Sequence, residues 1–268
     1  MTVNGSSGFW SCHNFTAWKI GGSAVLCLII IISLAANSLI VLLVCKTPNL
    51  KKAINYFIAN MALSDLLYPI FWIPWNLSNL HTKGSFLIGG QLGQALCKLV
   101  PFFGNVSIVV SIQNLILIAV DRFGAVVFPL RSPLIRSKLC PFFILATWLV
   151  AVAVSSPHLF ANELVESSER TQCVTAWKKA FGESSSPASF VLAYYILFIY
   201  IPVPLLVILY SIIVIKLKTQ AHPGEQSANS QQQRGRRNRN VLQMSIAIVT
   251  VFVFCWLPFS INVLSVIV

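Results

Sequence analysis

The sequence predicts an all-α membrane protein, and three observations lead to this fold class. The chain is 56% hydrophobic and only 10% charged, whereas a soluble domain carries about 25% charged residues. Six apolar runs each reach the roughly 20 residues that a helix needs to cross a bilayer. The runs are uniformly apolar and do not alternate, which favours helices over barrel strands because a helix satisfies its own backbone polar groups.

The six predicted helices follow one another along the chain at about 20–45, 54–78, 97–127, 139–161, 189–216 and 240–268. A short N-terminal segment, 1–19, precedes them, and a basic stretch, 217–239, joins the fifth helix to the sixth. The N-terminal segment carries glycosylation sequons at Asn4 and Asn14 and lacks the pattern of a cleavable signal peptide. Because the chain reaches Val268 within an apolar run, we expect that the sequence is cut.

Basic residues set the predicted orientation in the membrane. Thirteen of the nineteen lysines and arginines fall in or beside the first, third and fifth connections. Since cytosolic loops carry an excess of these residues, we predict that the odd-numbered connections lie in the cytosol and that the N-terminus is extracellular. The net charge of +12 is then mostly a topology signal, and binding of nucleic acid by the arginine cluster is disfavoured.

The seven cysteines divide between the predicted helices and the outer side. Four lie in or beside the apolar runs, where a free thiol packs as a small apolar group: Cys27, Cys45, Cys140 and Cys255. Cys12, Cys97 and Cys173 fall on the outer side, where disulfides persist. Cys97 opens the third run, Cys173 lies between the fourth and fifth runs, and Cys12 has no evident partner.

Charged side chains within or beside the apolar runs are candidates for function. Asp121 and Arg122 form a charged pair at the end of the third run. Burying an ion in hydrocarbon costs kilocalories, so a pair at this depth indicates a functional role. Asp65 lies near the middle of the second run, where a carboxylate needs a cation, a proton or polar partners.

Motifs in all six runs resemble those of the rhodopsin-like (class A) G-protein-coupled receptors. In chain order they are Asn37 in Ala36–Val41, Asp65 in Asn60–Asp65, Asp121-Arg122-Phe123, Trp148, Pro202 with Tyr210, and Cys255-Trp256-Leu257-Pro258. Each alone is weak, but this order and spacing are specific and cover nearly the whole chain. The resemblance implies a seven-helix receptor bundle of which this chain holds helices one to six, since the seventh helix and its Asn-Pro-x-x-Tyr motif are absent.

The resemblance implies a disulfide between Cys97 and Cys173, and it implies an activation switch. In the switch, Arg122 pairs with Asp121 at rest and is released on activation, while the sixth helix swings outward about a hinge. The hinge positions are Trp256 and Pro258, and the other switch positions are Pro202, Tyr210, Ile112 and Phe252. A purely structural ion pair and simple packing of the tryptophan are the alternatives. Asn238 replaces a glutamate that restrains the arginine in some members, which leaves most of the restraint to Asp121.

Ion and partner sites also follow from the resemblance. A sodium ion is expected at Asp65 and Ser111, and a protonated Asp65 with no ion is the alternative. The residues expected to contact the G protein are Arg122, Leu130, Arg236 and Arg237. The basic stretch that holds the last two is equally suited to anionic lipid headgroups.

Residues predicted to bind the ligand lie towards the outer ends of the helices. They are Trp75, Asn79, Gly104, Asn105, Ile108, Tyr194, Tyr195, Trp256, Phe259 and Ser260. Gly104 stands where amine receptors carry an aspartate, and a buried ammonium needs a counter-charge, so a biogenic amine is disfavoured. The aromatic, weakly polar set is similar to that of neuropeptide receptors, so we expect a peptide, with a lipid or small organic ligand as the alternative.

Other function classes fit the sequence less well. A transporter predicts inverted repeats and broken helices, a channel predicts rings of polar or acidic residues, and neither pattern is present. The four histidines lack the spacing of metal ligands, and nothing indicates an enzyme or an organic cofactor. We therefore expect a plasma-membrane receptor that activates a heterotrimeric G protein, and the alternative is a truncated receptor fragment that does not signal.

Overall fold

The computed structural model describes residues 6–47, 53–82, 84–128, 135–167 and 170–219, together with 243, 246–247, 250 and 254. Five helical stretches of this part are long and apolar enough to cross a membrane. They are Thr16–Lys46, Ala53–Thr82, Gly90–Val127, Ser137–Ala161 and Pro187–Leu217. These stretches correspond to the first five predicted helices, while most of the sixth predicted helix, 240–268, lies outside the described residues.

Two helices begin well before their predicted positions. α1 (Ser6–Lys46) starts inside the predicted N-terminal segment, 1–19. α4 (Gly90–Val127) starts before Cys97, which therefore lies inside the helix and does not open it. Residues 90–96 mix glycine and glutamine with leucine and alanine, so hydropathy does not reveal them, although glutamine, leucine and alanine all favour a helix.

Two spans contain a wide π-helical turn. The second span consists of α2 (Ala53–Asp65), the π turn Tyr68–Trp72 and α3 (Ile73–Thr82). The fifth span consists of α8 (Pro187–Tyr195), the π turn Ile196–Tyr200 and α9 (Pro202–Thr219). Proline lacks an N–H and clashes with the carbonyl four residues earlier, and a wider turn just before Pro202 relieves both problems. The Ile201 amide accordingly donates to the Ile196 carbonyl, five residues back, at 3.0 Å.

The fourth span leads into a β-hairpin that the sequence did not predict. The span itself comprises the 3₁₀ turn Ser137–Leu139, α5 (Cys140–Ser155) and α6 (Pro157–Ala161). After it, β1 (Asn162–Glu166) pairs antiparallel with β2 (Thr171–Thr175), and the short helix α7 (Trp177–Phe181) follows. Leu164 lies opposite Cys173 in this register. The hairpin therefore fixes the position of the cysteine in the connection between the fourth and fifth spans.

The chain divides into two compact units, and each is described separately. The disulfide unit comprises Met1–Leu42, Ala62–Ile108 and Ala151–Ser185. The arginine unit, which contains Arg122, comprises Leu43–Met61, Val109–Val150 and Ser186–Val268. The core of the arginine unit is a cluster of six buried side chains: Leu115, Ala119, Val126, Leu206, Tyr210 and Ile213. Ile246 of the sixth predicted helix packs against this cluster.

Candidate functional site

The charged pair that the sequence singled out is formed in the arginine unit, near the C-terminal end of α4. The Arg122 Nε donates to Asp121 Oδ2 at 3.1 Å, and a terminal nitrogen of the same guanidinium bonds the same oxygen. The side chains of Arg122 and Asp121 are only 19% and 9% exposed. Each charge at this burial depends on the other for compensation, because an unpaired ion would keep most of its desolvation penalty.

The apolar core cluster lies next to this pair on the same helix. Phe123 follows Arg122 directly and packs against the cluster. Tyr210 is itself a buried member of the cluster, contributed by α9. Pro202 at the start of α9 and Ile112 on α4 are also buried. Three of the predicted switch positions outside the ion pair therefore fall in the described part, namely Tyr210, Pro202 and Ile112, whereas Phe252, Trp256 and Pro258 lie outside it.

A buried polar network is the feature of the arginine unit that the sequence analysis missed. The Asn60 side-chain amide donates to Asn114 Oδ1 at 3.1 Å and to Thr147 Oγ1 at 3.4 Å, and Asn60 Oδ1 accepts from Trp148 Nε1 at 2.9 Å. Asn114 and Thr147 also donate to backbone carbonyls of their own helices, at 2.8 and 2.7 Å. The network joins three spans without leaving these donors unpaired, which is the condition for a stable buried polar cluster. Asn60 and Asn114, two amides within apolar runs, were its signal in the sequence.

The predicted disulfide between Cys97 and Cys173 is confirmed, with the two Cα atoms 5.5 Å apart. Three further bonds hold the hairpin to the same part of the disulfide unit. The Glu166 carboxylate accepts from the Gly90 amide at 2.6 Å, Gln94 Oε1 accepts from the Leu164 amide at 2.7 Å, and the Phe86 amide donates to the Thr171 carbonyl at 2.6 Å. The first of these bonds places a negative charge at the N-terminus of α4, where the helix dipole favours it.

Among the predicted ligand-binding residues of the disulfide unit, Trp75 is the one that lines the apolar cavity described for this unit. Phe86 lines it together with Trp75, and Gly104, Asn105 and Ile108 are not among the residues that line it. Asn105 instead donates to the Pro101 carbonyl at 2.8 Å, and its amide nitrogen lies 3.2 Å from His158 Nε2.

Gly104 is a glycine for a steric reason. A Cβ atom at this position would lie 2.9 Å from Cε3 of Trp72, closer than real Cβ contacts come. The indole therefore occupies the space that a larger side chain at position 104 would take. The carboxylate that an amine ligand requires has no room here unless Trp72 moves.

The remaining predicted ligand residues are spread over other regions. Asn79 lies half-buried on α3. Tyr194 and Tyr195 are buried on α8 in the arginine unit, where their rings meet edge to face at 5.7 Å and Tyr194 also contacts Phe198. Trp256, Phe259 and Ser260 lie outside the described residues.

Several other predicted sites are only partly within the described structure. Asp65 is half-buried at the end of α2 and Ser111 is buried on α4, and the sodium ion stays a prediction. Asn14 falls within α1. Besides Trp256, Phe259 and Ser260, the predicted site residues that lie outside the described part are Asn4, Leu130, Arg236, Arg237, Phe252 and Pro258. Among the described residues, no group of three or more His, Cys, Asp or Glu side chains is placed to hold a metal ion.

Comparison with known proteins gives one family over most of the chain. The sequence model of the family described as 7 transmembrane receptor (rhodopsin family) matches residues 36–268. The QRFP-like peptide receptor of Branchiostoma floridae is 32% identical over 176 residues, which cover 64% of this chain and 45% of that protein. The RYamide receptor of Drosophila melanogaster is 33% identical over 129 residues, covering 48% of this chain and 27% of that protein.

A vertebrate relative is similar at the same level. The human neuropeptide Y receptor type 2 is 30% identical over 180 residues, which cover 63% of this chain and 45% of that receptor. The chain thus spans less than half of the length of each of these curated relatives.

Proposed function

The chain belongs to the rhodopsin family of seven-transmembrane receptors, and on this premise we propose that it binds an extracellular peptide and activates a heterotrimeric G protein. Members of this family are signalling receptors and not enzymes. The proposal places the receptor in the plasma membrane with its N-terminus outside, in agreement with the excess of basic residues in the odd-numbered connections.

Two observations support a peptide as the ligand. The similar proteins carry the names of receptors for QRFP-like peptides, RYamide and neuropeptide Y. The packing of Trp72 against Gly104 leaves no room for a carboxylate at that position, and a small ammonium ligand needs such a counter-charge in a low dielectric. An extended ligand that spreads its contacts over aromatic and weakly polar side chains fits this region better.

The observation that carries the signalling proposal is the largely buried ion pair between Asp121 and Arg122. Such a pair contributes little net stability, because the attraction between the charges is offset by their desolvation. It is well suited to a switch, since moving one partner into a new polar contact costs little. In the proposed mechanism the ligand binds the open state more tightly than the closed state and thereby shifts the population.

Opening would release Arg122 towards the G protein and move the sixth helix outward. Pro258 breaks the hydrogen bonding of that helix and creates the hinge, with Trp256 beside it. Tyr210, which packs in the core cluster together with Ile246 of the sixth helix, is placed to respond to this movement. Leu130, Arg236 and Arg237 would complete the contact with the G protein.

Three smaller proposals belong to the same function. Sodium held by Asp65 and Ser111 would favour the resting state, and replacement of Asp65 by asparagine should remove any effect of sodium on peptide affinity. Glycans on Asn4 and Asn14 should appear as a mobility shift on treatment with a peptide N-glycosidase. Anionic lipid headgroups would contact the basic stretch, 217–239, from the cytosolic leaflet.

Replacement of Arg122 tests the signalling proposal. Cells expressing the full-length chain with an N-terminal epitope are exposed to QRFP-like, RYamide and neuropeptide Y peptides, and G-protein activation is recorded with surface staining of unpermeabilised cells. Arg122→Ala should abolish the peptide response while peptide binding and surface staining remain. Arg136→Ala removes an exposed arginine of the same connection and should leave the response intact.

A second substitution distinguishes a switch from a structural ion pair. Asp121→Asn removes the restraint and should raise ligand-independent signalling, whereas a structural pair predicts loss of surface expression instead. An unchanged response in Arg122→Ala would remove this arginine from the mechanism. Silence of the unaltered receptor towards every peptide, together with a normal response to an unrelated ligand, would contradict the peptide assignment alone.

A further inference from the structure

An apolar cavity of about 230 Å³ lies within the disulfide unit. Its walls come from the second span, from the connection after α3, and from the first turns of α4. The side chains that define it are Phe71, Trp75, Ser78, Phe86, Leu96 and Val100. All ten lining residues are uncharged, and the Ser78 hydroxyl and the Trp75 indole N–H are the side-chain polar groups among them.

The walls of the cavity are held in place by contacts with one another and with neighbouring residues. The rings of Trp75 and Phe86 meet at 4.5 Å, and the Phe86 amide is bonded to the Thr171 carbonyl of the hairpin at 2.6 Å. Phe71 stacks on Phe103 of α4 at the same 4.5 Å separation. The cavity is therefore formed by the fold itself, as ligand sites usually are.

Water is a poor occupant of this cavity. A buried water typically makes about three hydrogen bonds, and these lining side chains offer few polar groups. An empty cavity is also unfavourable, because each lining atom loses the dispersion contacts that a neighbour would provide. An engineered apolar cavity of about 150 Å³ in another protein stays dry and binds benzene, so the space here is sufficient for hydrocarbon.

The position of the cavity determines where hydrocarbon would come from. Ile70 lines it and is 51% exposed, although it lies near the middle of the membrane span Ala53–Thr82. A side chain exposed at that depth meets the lipid chains, so the cavity opens sideways into the bilayer. Leu87 and Ile88, two further exposed apolar residues, line it towards the end of the span.

We propose that this cavity is a binding site for the acyl chain of a bilayer lipid, which enters between the second span and α4. The absence of charge among the lining residues excludes a headgroup as the occupant, because an ion without a partner is costly in this environment. A flexible chain fills part of a narrow cavity while the rest of the lipid remains in the bilayer. The gain comes from packing and not from the hydrophobic effect, since lipid tails are as apolar as the cavity wall.

Photo-labelling of the full chain in nanodiscs tests the site. The probe is a phosphatidylcholine with a diazirine midway along one acyl chain, and labelled peptides are mapped by mass spectrometry. Labelling of Trp75, Phe86 and Leu96 should exceed by several-fold that of Leu149, an exposed residue on α5 that meets bulk lipid. A second phosphatidylcholine with its diazirine on the headgroup should not label the cavity.

Variants that fill the cavity supply the matched comparison. Val100→Phe places a ring in the cavity and should remove the excess labelling, whereas Leu149→Phe on the exposed face should leave it unchanged. Ser78→Leu fills the cavity from the second span and provides the same test if Val100→Phe does not fold. Cavity labelling equal to that of Leu149, or equal labelling by the headgroup probe, would overturn the proposal. Both results are independent of peptide binding and signalling.

Discussion

The disulfide unit and the arginine unit are built from segments of the same apolar spans, but they are held together differently. In the arginine unit large side chains are fully buried, among them Phe57, Ile112, Leu115, Leu206 and Ile213. In the disulfide unit the fully buried residues are mostly small. Among the described residues they include Ala62, Ser64, Ala151, Ser155 and Ala161.

The disulfide unit compensates with directed bonds. A disulfide, a carboxylate at a helix N-terminus and two further hydrogen bonds donated by backbone amides tie the hairpin to residues 86–97. The comparison teaches that a chain in a membrane needs a substitute for the hydrophobic effect, because lipid is as apolar as the core. The arginine unit uses dense packing and a buried amide network, whereas the disulfide unit uses covalent and electrostatic links.

Removal of the disulfide should have the largest effect on this comparison. The bridge closes a loop with a sequence separation of 76 residues, and the chain-entropy model gives about 4 kcal/mol for such a loop. Cys97→Ala with Cys173→Ala should therefore lower the midpoint of thermal unfolding in detergent markedly, as followed by circular dichroism. Cys27→Ala removes an exposed free thiol and should leave the midpoint where it is. Equal midpoints for the double variant and Cys27→Ala would mean that the directed bonds alone hold the hairpin.

Truncation of the core leucine on α9 should be nearly as costly to the arginine unit. Leu206 is 1% exposed within the core cluster, while its neighbour Leu205 is 40% exposed. Leu206→Ala leaves a cavity and should destabilise the chain by about 3 kcal/mol. Leu205→Ala removes the same atoms from the exposed face, so the two unfolding midpoints should differ clearly. A similar cost at both positions would show that packing in this unit does not discriminate buried from exposed leucine.

Loss of the amide network should cost less than loss of the leucine. Asn60→Ala leaves the Trp148 indole N–H and the side-chain oxygen of Asn114 without their partner. A buried polar group without a partner lowers the free energy of unfolding by about 1–3 kcal/mol. We expect about 2 kcal/mol in an SDS titration of the purified chain. Asn76→Ala is the control, because within the described residues its side chain donates to the Trp72 carbonyl of the same span, at 2.8 Å, and does not link two spans. A cost no greater than that of the control would show that the network is dispensable.

The sequence predicted the framework of both units but not the contacts that distinguish them. Length and hydropathy located the five described spans, and the resemblance to a receptor family identified the bridge between Cys97 and Cys173. The pairing of Asp121 with Arg122 followed from two adjacent charges at the edge of an apolar run. These features are local, or they belong to a family pattern, so a single chain is enough to reveal them.

The hairpin and the amide network could not be predicted in the same way. β1 and β2 are five residues each, too short for an alternating pattern to stand out, and their pairing depends on anchors at Gln94 and Gly90. Asn60, Asn114 and Trp148 come from three spans, and only the packing of those spans shows that they meet. The contact at the start of α4 is also non-local, because Glu166, which accepts from the Gly90 amide, is 76 residues away in sequence.

The bond between the Glu166 carboxylate and the Gly90 amide gives the smallest predicted effect, which is confined to the first turn of α4. Glu166→Gln keeps an oxygen acceptor for the Gly90 amide but removes the negative charge at the N-terminus of α4. A charge at this position is worth about 0.7 kcal/mol, so amides in the first turn of α4 should exchange with deuterium about threefold faster. The difference should shrink at high salt, which screens an exposed charge. Glu183→Gln removes a carboxylate whose contact with Lys178 is exposed at both ends and should leave this exchange unaltered. If the two variants exchange alike at low salt, the helix start is determined by the disulfide and not by the carboxylate.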